Sequence, residues 1–178
     1  KKYYHRFNAQ SGMKTHISFL IRLSSPERER STGNGRLLSM DNDKLKDIIN
    51  SIADEQGFRP AIIEKDYHLT MILNAVNEHL SRDIVFKGGT LLNKVYLNYH
   101  RLSEDLDFSY RNDIDVSTRS KRSKAITPIR KKMPAFMSFL GFTSDLPEGK
   151  GFNNSTQYLF KFQYQSIVFK RKESVKFE

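Results

Sequence analysis

Two short motifs in this sequence combine residue types that bind phosphate groups and metal ions. Gly88, Gly89 and Thr90 follow a short apolar run, and Asp105 and Asp107 come fifteen and seventeen positions after the threonine. Glycines let a phosphate approach backbone N–H groups closely. Carboxylates at alternate positions of a strand share one face, about 6–7 Å apart, and can hold Mg²⁺ together. The two motifs therefore predict a site for a nucleoside triphosphate (NTP), with phosphates at one end and metal at the other.

Taken singly, each motif has an ordinary structural explanation. An isolated Gly-Gly-Thr is usually a plain strand-to-helix turn, and a lone Asp-x-Asp is usually a solvent-facing strand edge. The glycine spacing fits neither a P-loop nor a dinucleotide-binding fingerprint. The functional interpretation depends on the two motifs occurring together, in this order and at this interval.

The order of strand, small-residue turn, helix and Asp-x-Asp strand resembles the polymerase-β-like nucleotidyltransferases. Three segments together resemble the AbiEii/AbiGii abortive-infection toxin family, and the resemblance covers roughly residues 41–178. These segments are Glu64-Lys65-Asp66-Tyr67, Phe86-Lys87-Gly88-Gly89-Thr90 and Arg101-Leu102-Ser103-Glu104-Asp105-Leu106-Asp107.

The resemblance implies a third carboxylate on a later strand, within the pattern Val-Lys-Phe-Glu that ends at Glu178. It implies that Gly89 and Thr90 hold the β- and γ-phosphates. Asp105, Asp107 and Glu178 are then the metal ligands, with two Mg²⁺ ions expected. The implied reaction is transfer of a nucleoside monophosphate from an NTP to RNA, with tRNA as the suggested acceptor and a protein hydroxyl as the nearest variant.

The same resemblance implies a biological role and further residues. It suggests growth arrest by a toxin of an abortive-infection, phage-defence system, countered by a cognate antitoxin encoded nearby. Of the candidates for neutralising triphosphate charge, we favour Lys87 and Arg101 because each adjoins a motif. The remaining candidates are Lys94, Lys170, Arg171 and Lys172. Residues 64–67 are expected to brace the glycine turn, and His68 stands where many relatives carry a larger aromatic residue.

Relatives of this type continue into a substantial C-terminal helical region, so we expect this chain to be a truncated form. That expectation leaves a second function open, in which an inactive remnant binds nucleotide or RNA without turnover. A third possibility is an interaction module whose carboxylates are incidental. Metal-dependent NTP binding separates the first two from the third, and turnover separates the first from the second.

Composition limits the possible classes of protein. The chain has 178 residues, 38% hydrophobic and 12% aromatic, which is enough for one domain with a substantial core. The absence of cysteine excludes disulfides and thiolate zinc sites and favours the reducing cytoplasm. No apolar stretch approaches the roughly 20 residues of a membrane span. The net charge of +10 favours a polyanionic partner such as RNA.

The positive charge is unevenly distributed. Residues 1–39 carry +6 of the net charge, lack sustained periodicity and are expected to be a disordered or non-native extension, with Met40 as the natural initiator. Residues 40–178 are then the nucleotidyltransferase core domain. Residues 119–132 contain seven basic and no acidic side chains, which fits either a helix face that guides an RNA backbone or a merely solvated face.

The elements that must position these residues can be predicted from periodicity. Asp41 or Asp43 can cap a helix that Gly57 ends. Pro60 opens a second helix whose apolar residues recur at helical spacing as far as Leu80. Both helices would cover a sheet.

Strands and helices then alternate along the rest of the chain. A third helix is expected to start at Thr90. A fourth is expected to span residues 119–140, where Pro128 and Pro134 should break or kink it. The predicted strands are residues 84–86, 105–109, 142–145, 157–165 and 175–178. The expected fold class is α+β, a small mixed β-sheet flanked by helices with a nucleotidyltransferase-like core.

Overall fold

The computed structural model describes residues 41–92, 94, 104–111 and 115–178. The predicted extension, residues 1–39 with Met40, lies outside the described residues, and so does Arg101. In chain order the regular elements are α1 Asn42–Gln56, α2 Pro60–Ala75, β1 Ile84–Lys87, α3 Gly88–Leu91, β2 Asp105–Tyr110, α4 Arg119–Phe139, β3 Lys150–Phe152, β4 Gln157–Gln165 and β5 Lys172–Phe177. A π-helical segment, Val76–Leu80, extends α2, and a 3₁₀ turn, Asn153–Ser155, joins β3 to β4.

The first two helices begin and end where the sequence predicts. The Asp41 carboxylate accepts a hydrogen bond from the Asp43 backbone N–H and caps α1, and Gly57 ends that helix in the left-handed conformation with φ of 69°. Pro60 occupies the first position of α2, where a missing N–H leaves no helical hydrogen bond unmade.

The five strands form one mixed sheet in the order β1-β2-β5-β4-β3. The central pair, β2 and β5, is parallel, and the other three pairs are antiparallel. Together with the helices, this mixed sheet confirms the predicted α+β class.

The two faces of the sheet are chemically different. The apolar face bears Leu106, Phe162 and Phe177, all at most 4% exposed. Helices α2 and α4 cover this face, and their residues share one hydrophobic core with it, including Leu69 and Met133. The polar face bears the alternate residues of the same strands and includes the predicted site carboxylates.

Helix α4 excludes one of the two outcomes predicted for its prolines, a break in the helix. It runs unbroken through Pro128 and Pro134, each of which removes a helical hydrogen bond at a cost of about 3 kcal/mol. Pro128 is exposed, so water can reach the backbone carbonyl that it leaves without a donor. Burial of the opposite side of the helix holds it together, because packing of an apolar stripe contributes more to helix stability than intrinsic propensity does. The buried residues are Ala125, Ile129, Met133, Phe136 and Met137.

The strand predictions were right in part. Strand β4 has the predicted bounds, whereas β5 begins three residues before the predicted start at Val175. Residues 142–145 were wrongly predicted as a strand, since only Thr143 pairs, in a single bridge to Gln163. Beyond that bridge the Ser144 hydroxyl, rather than a backbone group, donates to the Lys161 carbonyl at 2.7 Å and so ends the ladder.

Strand β3 was missed because its sequence, Lys-Gly-Phe after another glycine, is typical of a loop. The predicted helix start at Thr90 is also corrected, since α3 begins two residues earlier, at Gly88. Within the described part of the chain, no helix has the length and apolar character needed to cross a bilayer.

Candidate active site

The register of three neighbouring strands aligns two of the predicted carboxylates. Lys87 on β1 is the Cα partner of Asp107 on β2. On the other side of β2, Glu178 continues the parallel ladder beyond β5: its N–H donates to the Leu106 carbonyl at 2.8 Å, and its carbonyl accepts from the Phe108 N–H at 2.7 Å. Glu178 therefore lies beside Asp107, with neighbouring strands about 4.8 Å apart. All three side chains belong to the polar face.

A second row of side chains in register lies on the same face, two positions before Asp107 on β2 and two positions before Glu178, which follows β5. Asp105 pairs in register with Lys176 on β5, and Lys176 pairs with Lys161 on β4. The Lys176 Nζ is 3.7 Å from the Asp105 Oδ1, with side chains 48% and 39% exposed. The carboxylate thus has a solvent-screened cation beside it. Sequence reasoning gave Lys176 no role of its own, and only the register between β2 and β5 reveals its place beside Asp105.

The glycine turn directly contacts one of the carboxylates. Gly88 has φ of +77°, and a Cβ atom built on it would lie 2.1 Å from the Asp107 Oδ2. Only glycine meets both requirements, because any larger residue would be strained in this conformation and would collide with the carboxylate. The predicted phosphate-binding turn and the predicted metal-binding carboxylate are therefore immediate neighbours.

Thr90 has a different contact from the one expected. Its side chain is 1% exposed, and its hydroxyl donates a hydrogen bond to the Asp105 backbone carbonyl. The hydroxyl proton is therefore already bound within the protein, and Thr90 ties the helix after the turn to the strand that carries the carboxylates. Any donation to a phosphate from this turn comes from backbone N–H groups.

The helix α2 motif contacts the site at two points. Lys65 Nζ donates to Glu104 Oε2 at 2.7 Å, next to Asp105 in sequence. This hydrogen bond from the Lys65 ammonium, with the Lys65 charge, holds the pKa of the Glu104 carboxyl below its usual range. The next residue of the motif, Asp66, accepts a hydrogen bond of 2.6 Å from Lys94 Nζ, and both side chains are at most 5% exposed. These contacts tie α2 to Glu104, next to β2, and to Lys94, four positions after Thr90, whereas the motif was predicted to brace the glycine turn itself.

Lys94 was a candidate for binding triphosphate, and its position argues against that role. Its ammonium is buried between the Asp66 carboxylate and the Thr70 hydroxyl, the latter at 2.8 Å. Removing one member of such a buried pair leaves an uncompensated charge, so the pair is retained as a unit. Lys94 therefore belongs to the internal framework of the site.

Glu64 makes the third bracing contact, to the turn between β4 and β5. Its buried carboxylate accepts hydrogen bonds of 2.7 Å from the Ser166 hydroxyl and from the Ile167 N–H. This contact joins residues more than a hundred positions apart in the chain. It holds the beginning of the turn that leads from β4 to β5, the strand that carries Lys176 and leads to Glu178.

Three other basic candidates lie far from the carboxylates. Lys170, Arg171 and Lys172 are in or next to the β4–β5 turn, at the opposite end of β5 from Glu178. Glu178 is six positions after Lys172, which corresponds to about 20 Å along the strand. Arg171 Nε also pairs with Glu173 Oε1 at 2.7 Å. These positions do not favour the three residues as the cations that neutralise triphosphate charge.

The basic stretch of residues 119–132 forms part of α4, on the apolar side of the sheet. Several of its cations contact neighbouring loops: Arg122 donates to the carbonyls of Val116, Ser117 and Asn154, and Arg130 donates to the Glu148 carbonyl. A nucleic-acid strand lying along this helix would be on the wrong side of the sheet to reach Asp105 and Asp107. The predicted guiding role is therefore not supported by the position of the helix.

Of the three predicted carboxylates, Asp105 lines a polar cavity of about 440 Å³, together with Lys65, Glu104, Ser174 and Lys176. Among the described residues, no three side chains of metal-binding type are already gathered around one point. Asp105, Asp107 and Glu178 share a face and two adjacent strands, but their oxygens are not drawn together, as expected for like charges that repel. The donor set consists of carboxylate oxygens alone, the ligand type that Mg²⁺ prefers.

Comparison with known proteins agrees with this geometry. The family described as nucleotidyl transferase AbiEii toxin, type IV toxin–antitoxin (TA) system, matches residues 72–178, which is more than half of the chain. No curated protein and no solved structure matches the chain. The matched segment contains the glycine turn, Asp105, Asp107 and Glu178. The chain belongs to the AbiEii family of nucleotidyltransferase toxins of type IV toxin–antitoxin systems.

Proposed function

We propose that this toxin transfers a nucleoside monophosphate from an NTP to an RNA acceptor, with tRNA as the first acceptor to test, in a Mg²⁺-dependent reaction. One observation carries the proposal. The Gly88 turn lies against the Asp107 carboxylate, and Asp107 lies beside Glu178 and on the same face as Asp105. The backbone proposed to bind phosphate and the oxygens proposed to bind metal are thus adjacent.

Asp105, Asp107 and Glu178 are the proposed metal ligands. Three carboxylates on one face repel one another, and a divalent cation relieves that repulsion. When bound, Mg²⁺ neutralises triphosphate charge and lowers the pKa of an acceptor hydroxyl, and two ions can serve the attacking and leaving oxygens. Asp107 and Glu178, on neighbouring strands, are the pair best placed to share an ion.

The phosphate end of the site is formed by the glycine turn. The backbone N–H groups of Gly89 and Thr90 are the proposed donors to the β- and γ-phosphates, because the Thr90 hydroxyl is bound to Asp105. Lys87 is exposed and lies in the same row as Asp107, where its ammonium can offset phosphate charge. Arg101, which adjoins the Asp-x-Asp motif in sequence, is proposed as a second phosphate-binding cation.

The reaction balances without a redox step. The acceptor oxygen attacks the α-phosphorus and forms a new P–O bond, the bond to the β-phosphate oxygen breaks, and pyrophosphate leaves with that electron pair. The acceptor hydroxyl gives up its proton to solvent or to a site carboxylate. The protein contributes positioning and charge neutralisation, which account for most of catalysis in phosphoryl-type transfer.

A transfer assay tests the proposal. The chain is incubated with Mg²⁺, each labelled NTP in turn and total tRNA, beside the double variant Asp105→Asn/Asp107→Asn. Ser109→Ala is the matched control, since Ser109 is on the same strand and face but beyond the site. We expect label on RNA with the unmodified chain and with Ser109→Ala, and loss of about 100-fold or more in the double variant. Equal transfer by all three proteins would remove the carboxylates from the mechanism.

Family membership implies a cognate antitoxin, and we propose that transfer onto RNA is the event that arrests growth during phage infection. If so, toxicity and transfer depend on the same residues. Induced expression of the chain should slow growth, and expression of Asp105→Asn/Asp107→Asn to the same level should not. Growth arrest by both forms would separate toxicity from the carboxylates.

A further inference from the structure

We propose that the polar face of β5, β4 and β3 binds a single-stranded segment of RNA and leads it to the carboxylates. The proposal deepens the proposed function, because it rests on an RNA acceptor that must reach Asp105 and Asp107. It replaces the basic stretch of α4 as the guiding surface.

Three lysines occupy this face on successive strands. Lys176 on β5 pairs in register with Lys161 on β4, and Lys150 on β3 is the partner of Leu159, two residues from Lys161. All three lysines are exposed. Along β2 to β5 the acidic residues on this face are Asp105 and Asp107, and at the strand ends they are joined by Glu178 and by Glu104, which lines the cavity beside Asp105 and Lys176. The acidic residues are therefore gathered at the proposed metal site and its cavity, and the exposed lysines extend from there across the sheet, which suits a polyanion whose end reaches that site.

An exposed aromatic side chain lies next to the outermost lysine. Phe152 is on the same face of β3 as Lys150, 40% exposed, with the Lys150 Nζ 5.4 Å from its ring centroid. Exposed aromatic rings on strands are stacking platforms for unpaired bases, and neighbouring lysines bind the phosphates between them. A solvent-exposed phenylalanine on a mainly polar strand pair otherwise gains little for stability.

The distance from Phe152 to Glu178 suits an extended strand of RNA. Phe152 and Glu178 are separated by two strand spacings, about 10 Å across the sheet, and by two residues along the strands. A chain end stacked on Phe152 would pass over β4 and arrive at Glu178 and Asp107 within a few nucleotides. Duplex RNA hides its base faces within the helix, so this surface favours an unpaired end.

The two sides of the sheet also provide matched variants. Lys150→Gln/Lys161→Gln removes two charges from the polar face, and Lys124→Gln/Lys131→Gln removes two exposed charges from α4 on the other side. Each double variant has the same net charge, so any general electrostatic effect is equal in both. Phe152→Ala removes the stacking platform, and Phe152→Tyr keeps it.

Fluorescence anisotropy of a labelled ten-nucleotide single-stranded RNA, measured with the full chain, without NTP and at several salt concentrations, tests the inference. Lys150→Gln/Lys161→Gln is expected to weaken binding at least tenfold and to reduce the slope of log K against log salt by about 1.4, since each single-strand phosphate contact contributes about 0.7. Phe152→Ala is expected to weaken binding about fivefold or more, and Phe152→Tyr to bind like the unmodified chain. Lys124→Gln/Lys131→Gln should change the affinity by less than about twofold.

Equal losses in the two lysine variants, or no loss in Phe152→Ala, would overturn the inference, as would an unmodified chain that does not bind the RNA. Mg²⁺-dependent NTP binding by the same variants keeps this failure distinct from that of the proposed function. A chain that transfers nucleotide but shows no preference for the polar face contradicts only the RNA path. A chain with the expected RNA pattern that transfers nothing contradicts only the reaction.

Discussion

On one side of the sheet the side chains are apolar and in contact with α2 and α4, and on the other they are charged and accessible. The same five strands build both faces, so alternation along each strand separates the core from the chemistry. Leu106 and Phe177 are buried, while their neighbours Asp105 and Glu178 point the other way. Burial of the apolar residues fixes the strands, so the contacts of the carboxylates themselves are not required to hold the strands in place. The positions of the carboxylates follow from the apolar residues between them.

The largest expected difference comes from the same substitution on opposite faces. Phe162→Ala on the apolar face removes a buried ring and should lower the free energy of unfolding by about 3–5 kcal/mol. Phe152→Ala on the polar face should lower it by less than about 0.5–1 kcal/mol. Urea unfolding of the two variants and the unmodified chain measures both losses in the free energy of unfolding. Similar losses would mean that the two faces are packed alike.

A smaller effect should appear as pH dependence. His68 on α2 lies with its ring centroid 3.9 Å from that of Tyr164, and its Nδ1 is buried without a hydrogen-bond partner among the described residues. Burial lowers the pKa of His68 from 6.5 to about 3. Between these values the unfolded chain binds a proton that the folded chain does not, so stability falls as pH drops from about 6.5 towards 3. The expected loss is about 1.4 kcal/mol per pH unit, or about 2 kcal/mol at pH 5.

His68→Phe isolates this contribution, because the ring remains in the aromatic cluster while the titrating group is removed. Urea unfolding at pH 7 and pH 5 should show a loss in the unmodified chain that is about 2 kcal/mol larger than in His68→Phe. If both proteins lose stability equally over this range, the buried ring is not the group that senses pH.

The smallest expected difference in stability is between the same substitution at two glycines. Gly57 and Gly88 both have positive φ, but a Cβ on Gly57 meets nothing within 4 Å, whereas on Gly88 it meets Asp107. Each change to alanine should cost about 1–2 kcal/mol of backbone strain. Gly88→Ala alone should also weaken Mg²⁺-dependent NTP binding, by about tenfold or more, because Asp107 must move. Calorimetric titration with NTP and Mg²⁺ measures this, and equal affinities in the two variants would separate the turn from the carboxylate.

Local signals in the sequence predicted the elements near the site well. Asp41, Gly57 and Pro60 mark helix ends through backbone chemistry that needs no tertiary partner. The alternation of Asp105 and Asp107 around Leu106 predicted a strand with one polar face, as the structure has it. Such features depend on neighbouring residues only, and a single sequence contains all of them.

Other features depend on contacts between distant parts of the chain. Lys94 looks like any lysine in sequence, and only its position beside Asp66 buries it. Helix α4 continues through Pro128 because its apolar side packs in the core, and the periodicity of the sequence does not reveal how strong that packing is. The alignment of Glu178 with Asp107 is set by the register of a parallel pair whose strands are far apart in sequence. These are tertiary effects, and sequence patterns carry little information about them.

A double-mutant cycle on Asp107 and Glu178 tests the central claim, that the register of β2 and β5 brings two metal ligands together. Mg²⁺-dependent NTP affinity is measured by calorimetry for Asp107→Asn, Glu178→Gln and the double variant. Residues that share an ion should show a coupling free energy of at least about 0.5 kcal/mol, with the double variant losing less than the sum of the single losses. Losses that add within about 0.3 kcal/mol, or a Glu178→Gln variant that binds normally, would contradict the site described here.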